Sequence, residues 1–154
     1  MFRFANRRNT RVSFFLGALM TVALPSLVAA QGPGVRAGVS VEPDQFYVGG
    51  HYETSALIER LHFKPNVEVG FGDGLTHVGV NFEAVYKFDT DSDWDIYGGG
   101  GPALNLYSAD GNSDTEAGLN FVVGAENSRG LFFEVKVGAI DSPNLKFGVG
   151  WSFR

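Results

Sequence analysis

The stretch LKFGVGWSFR, residues 145–154, alternates without a break. Leu145, Phe147, Val149, Trp151 and Phe153 are large and apolar, whereas Lys146, Gly148, Gly150, Ser152 and Arg154 are small or polar. A period of two marks a β-strand, whose successive side chains point to opposite faces. Order and burial normally fade toward a chain end. A stripe of aromatic and aliphatic groups in that position needs either another part of the protein to cover it or a solvent other than water.

The same rhythm runs through the sequence upstream. Alternating segments at 35–42, 46–53, 61–71, 76–88, 94–107, 115–126 and 131–140 precede the final one at 145–153. Between them lie the turn signals EPDQ, GDGL, DTDSD, SADGNSD, NSRG and DSPN and one longer connection, TSALIER. Connections this short join antiparallel neighbours. SADGNSD reads as the longest clear loop. Pro65 and Pro102 count against their strands, because proline cannot donate to a ladder. The expectation is an all-β, eight-stranded, antiparallel up-and-down barrel whose strands match the ~9–11 residues needed to cross a bilayer at a tilt.

Alternation alone does not say which face is inside. A soluble carrier barrel of the lipocalin kind turns its apolar stripe inward; a membrane barrel turns it outward. The second face decides. It carries Arg36, Glu42, Glu53, Lys64, Glu68, Glu83, Lys87, Asp95, Glu116, Glu126, Glu134, Lys136 and Lys146, with His51, His62 and His77, interspersed with glycines. A water-facing surface gains nothing from many glycines, since each weakens a strand. The narrow lumen of eight strands needs them for room. The apolar stripe holds no Asp, Glu, Lys or Arg, as expected of positions that meet lipid. The reading is therefore a transmembrane barrel with a lumen filled by a Glu/Asp–Lys/Arg network, because buried charges need partners. In this set acids outnumber bases, so a narrow cation-preferring pore is the alternative, and a soluble periplasmic carrier of an apolar ligand the second alternative.

The opening thirty residues are of another kind. Arg3, Arg7, Arg8 and Arg11 precede an apolar run at 14–24, too short for a membrane span, then Pro25 and the small residues Val28, Ala29 and Ala30. This reads as a secretory signal peptide, 1–30, ahead of a barrel domain, 31–154. Removing those four unbalanced arginines takes the net charge from −5 to −9. An acidic exported domain argues against nucleic-acid partners. With no cysteine, neither a disulfide framework nor a Cys metal site is possible.

The signal segment, the eight alternating strands, the glycine–aromatic run DIYGGGGPALNLY (95–107) and the end FGVGWSF (147–153) together resemble the small eight-stranded outer-membrane barrels of Gram-negative bacteria, the OmpA/OmpX-like superfamily. The resemblance covers the whole chain after the signal. It implies a bare, porin-like barrel without a peptidoglycan-binding domain, reached by Sec-type export to the bacterial outer membrane. The implied partners are outer-membrane lipid and, during biogenesis, the barrel-assembly machinery; the implied state is a monomer. Leu145, Phe147, Val149, Trp151 and Phe153 would form the C-terminal assembly signal, with Arg154 leaving the aromatic residue penultimate.

No chemistry-bearing motif stands out. Lipid A deacylases of this architecture use a His-x-Ser-Asn arrangement on a late strand, yet all three histidines here precede residue 78. His51, Glu53 and His62 are near one hairpin end, where two His and a carboxylate suit a metal, but nothing in their spacing enforces convergence. DTDSDWD (89–95) starts like a calcium loop, then places Trp94 and Gly100 where an EF-hand needs Gly and Glu. The glycines at 98–101 are followed by a strand, whereas a phosphate-binding loop needs a helix. No catalytic residue, cofactor or metal is expected.

Overall fold

The computed structural model describes residues 30–154. The segment read as a secretory signal lies outside the described residues except for Ala30, which opens the first strand. Eight strands follow in order: β1 Ala30–Val41, β2 Gln45–Thr54, β3 Leu61–Gly72, β4 Leu75–Phe88, β5 Trp94–Ala109, β6 Asn112–Asn127, β7 Leu131–Ala139 and β8 Leu145–Ser152. Each pairs antiparallel with its chain neighbours, and β8 returns to β1 to close the barrel. That closure runs from Gly34 opposite Ser152 to Val41 opposite Leu145. It uses every residue of the 145–152 stretch, so the alternation at the chain end is the last stave of the barrel, with no edge left to template aggregation.

The registers fix the geometry. Followed once around, the pairings return to β1 displaced by about ten residues, which for eight strands corresponds to a tilt of about 40°. Both prolines lie inside strands, and each coincides with a one-sided break in pairing. The β2–β3 ladder stops at Asn66, one residue short of Pro65. The β4–β5 ladder skips from Ala103 to Gly100, past Pro102, while the β5–β6 ladder runs on through it. A missing donor is tolerated where only one neighbour would have used it.

Two boundaries differ from the sequence reading. SADGNSD is not a long loop: β5 and β6 extend through it to a two-residue turn at Asp110–Gly111, with φ of 49° and 79°. Both values are left-handed, the geometry that Asp-Gly favours in a tight hairpin. At the other end, β1 starts before Val35 and takes in Gly34 and Pro33, paired with His51 and Tyr52. Phe153 lies just past β8, although its N–H still donates to Pro33 O at 2.8 Å.

Parity divides the side chains. Val35, Phe46, Phe71, Phe88, Ile96, Phe121, Val123, Phe133, Val137 and Phe147 face outward and are exposed, Phe121 at 53% and Val123 at 62%. Among the described residues, no outward position of any strand holds Asp, Glu, Lys or Arg. The buried set is the reverse: Arg36, Glu53, Lys64, Glu68, Glu83, Lys87, Glu126, Glu134, Lys136 and Lys146 point inward. The termini share one end with the turns 55–60, 89–93 and 128–130. The turns 42–44, 73–74, 110–111 and 140–144 form the other.

Candidate functional site in the barrel lumen

Inward-facing residues meet across a narrow tube, so which groups touch depends on depth as well as parity. Glu68 of β3 is the hub. It accepts from Lys146 Nζ at 2.6 Å, Lys136 Nζ at 2.8 Å and Arg36 Nη1 at 3.2 Å. Arg36 also donates to Glu134 at 2.6 Å, and Lys136 lies 2.8 Å from Glu83. Three cations and three carboxylates from β1, β3, β4, β7 and β8 thus form one connected set. Tyr97 donates its hydroxyl to Glu134 at 2.9 Å. An amide relay runs from Asn120 to Asn81 (2.6 Å), Asn81 to Asn66 (2.8 Å) and Asn66 to Glu83 (2.9 Å).

A second set is nearer the terminal end. Lys87 bridges Glu53 and Glu126, the latter at 3.0 Å. Lys64 Nζ is 3.7 Å from Glu53, and Arg154 reaches in to Glu126 at 2.8 Å. Between the two sets, Lys64 Nζ makes no hydrogen bond; it sits over the rings of Phe132 and Tyr97 at 4.5 and 4.9 Å. Cation–π attraction substitutes there for a hydrogen-bond acceptor.

Glycines make this filling possible. A Cβ at Gly124 would collide with the Tyr97 ring, at Gly150 with Phe132, and at Gly38 with Tyr47 and the backbone. Each of these three inward glycines is the floor under one large neighbouring side chain. The inward Tyr47, Val85, Tyr97, Val122 and Phe132 escaped the sequence reading, as did the asparagine relay. Their signal was available in the sequence: all have the parity of the charged face.

The structure puts ten of the thirteen predicted network residues in the lumen and three outside it. Glu42 is exposed in the β1–β2 turn, where it accepts from Asn144. Asp95 and Glu116 have inward parity but are only half-buried at opposite rims, without an ion pair among the described residues. This changes the charge count. The buried lumen holds five cations and five carboxylates, so the acidic excess behind the cation-preferring reading belongs to the rims and not to the bore. A net-neutral, mutually paired filling is what a plug requires.

Of the His51, Glu53 and His62 set, the structure brings Glu53 and His62 together, at 3.4 Å, and each histidine has a hydrogen-bond partner of its own. His51 Nε2 is 3.0 Å from Ser152 Oγ, His62 Nδ1 2.9 Å from Thr54 O, and His77 Nε2 2.9 Å from Asn105 Oδ1. Among the described residues, no three His, Asp or Glu side chains are grouped to hold a metal ion.

No protein-family model and no curated protein matches this chain. Solved structures do. The crystal structure of Neisserial surface protein A (NspA) superposes with a TM-score of 0.57 at 19% identity, covering 80% of this chain and 96% of that one. The N-terminal β-barrel domain of Pseudomonas aeruginosa OprF gives 0.58 at 14% identity, covering 80% and 99%. The closed eight-stranded antiparallel barrel described above is therefore the fold of these outer-membrane barrels, reached through a largely different sequence.

Proposed function

We propose that this chain is an integral barrel of a bacterial outer membrane with a non-enzymatic, structural role in the envelope. One observation carries the reading: polarity is inverted relative to a soluble protein. Ten ions are buried and paired in the bore, while the outer wall exposes aliphatic and aromatic groups without a single charge on its strands. In water such a wall is a large aggregation-prone patch; in a bilayer it is the required surface. Aromatics near the strand ends, among them Phe46, Phe71, Phe88, Trp94 and Trp151, suit the interfacial girdles of such barrels.

The termini would face the periplasm, and the short turns at the opposite end would face outward. Leu145, Phe147, Val149, Trp151 and Phe153 would serve as the segment read by the barrel-assembly machinery, and the barrel would act as a monomer in lipid. The neutral, interlocked bore favours a plug over the narrow pore. It also opposes the soluble carrier, which needs an apolar lumen and a polar wall. Fractionation tests the proposal. Recovery in the outer-membrane fraction with heat-modifiable migration on detergent gels is expected; a monomer soluble without detergent would overturn it. In planar bilayers, insertion without discrete conductance steps is expected of the plug, and regular steps would favour the pore.

A further inference from the structure

We propose that the wall at the β8–β1–β2 seam binds one anionic glycerophospholipid of the periplasmic leaflet, its acyl chain in a groove over Ala37 and its phosphate at Arg129. The inference rests on the membrane reading above.

The groove follows from the sequence at the seam. Ala37 is flanked in register by Val48 on β2 and Val149 on β8. Its methyl makes a low floor between taller neighbours. Two depressions meet there. One, of about 460 Å³, runs from Ala37 toward Val35, Leu131 and Trp151; the other, of about 380 Å³, runs toward Val39, Phe46 and Phe147. They share Ala37 and Val149, so they form one channel along the strand direction. Both are shallow and open to the surroundings along their length, as suits an acyl chain lying on a wall, and their lining is almost wholly apolar.

An unpaired cation marks the end at which a headgroup would lie. Leu131 and Trp151 are cross-strand partners at the terminal end, and the turn at 128–130 immediately precedes Leu131. Arg129 in that turn is exposed and makes no ion pair among the described residues, although Ser128 N–H donates to Asp93 O beside it. The turns at the opposite end carry Glu42, Asp44, Asp73, Asp110 and Asp141 and neither Lys nor Arg. The terminal-end turns also hold acids, Glu59, Asp89, Asp91 and Asp93, but Arg60 there pairs with Asp89 and Arg154 with Glu126, which leaves Arg129 as the exposed cation without an ion pair among the described residues, open to an anionic headgroup. Trp151 stands at the same level, where an indole suits the boundary between acyl chain and headgroup.

The test uses the full barrel reconstituted in discs of phosphatidylethanolamine and phosphatidylglycerol, with retained lipid identified by native mass spectrometry after detergent exchange. One phosphatidylglycerol per barrel is expected on the parent protein. Arg129→Gln should weaken retention about five-fold while Arg129→Lys keeps it, and Ala37→Phe, which fills the groove, should abolish it. Heat-modifiable migration of each variant shows that it has folded and inserted. Should Ala37→Phe not fold, Arg129→Gln, altered only in an exposed turn, still decides. Equal retention in parent, Arg129→Gln and Arg129→Lys overturns the site, as does preferential retention of phosphatidylethanolamine. Those failures leave the membrane reading intact, because they are read on barrels already shown to insert; loss of insertion by the parent protein would overturn both.

Discussion

The wall and the bore are built from the same strands, one residue apart, yet they follow opposite rules. On the wall, Phe121 and Val123 are half or more exposed. In the bore, Val122 between them is buried, and so is Asn120 one step before. Glycine shows the contrast most directly. A Cβ on outward-facing Gly98 would meet nothing closer than 3.8 Å, whereas one on inward-facing Gly99 would fall onto the Ala84 backbone. A wall is tuned by solvent and a bore by fit, and adjacent residues are answerable to different physics.

The contrast can be broken hardest in the bore. Glu68→Ala leaves Arg36, Lys136 and Lys146 facing one another around an empty acceptor. Removing one member of a buried ionic set costs about 3–5 kcal/mol, which should appear as a large fall in the urea midpoint of the vesicle-bound barrel. A normal midpoint would mean that the bore is hydrated and loosely paired. Next comes a charge on the wall: Val135→Arg, outward-facing on β7, should lose about 2–4 kcal/mol if it lies near mid-bilayer. The same substitution would be nearly silent on a water-facing wall.

The glycine pair sharpens the comparison further. Gly99→Ala should destabilise by about 1–3 kcal/mol through overpacking, while Gly98→Ala should be neutral or slightly stabilising; equal effects would erase the distinction between wall and bore. The smallest effect is expected at the rim. Ile140 has a φ of 53° in the β7–β8 turn, an unfavourable left-handed conformation for a β-branched residue. Ile140→Gly should raise stability by about 1 kcal/mol, measured by the same urea titration.

Most of the fold was legible because period-two alternation reports both strand and facing. What it does not report is depth. Glu42, Asp95 and Glu116 share the parity of Glu68 but lie where the barrel ends, so sequence alone gave them a place in a network they do not join. The polar run at 108–114 concealed a hairpin for a related reason: β5 and β6 continue beyond the apolar band, and composition there resembles a loop even though Asp110–Gly111 marks a tight turn. Of the lumen, the ions were legible and their pairing was not. Which cation meets which carboxylate depends on the stagger accumulated around the sheet, a long-range quantity. The role of the inward aromatics depends on the glycines opposite them, as with Tyr47 against Gly38 and Gly148.

The central claim is that lipid meets the apolar face. The chain has no cysteine, so single-cysteine variants report position without background. Fluorophores attached at Phe82→Cys, Phe121→Cys and Val135→Cys in reconstituted vesicles should be quenched by lipids carrying a quencher on the acyl chain, and Asn120→Cys, facing the bore, should not. Quenching at 120 with silence at 82, 121 and 135 would contradict the account outright.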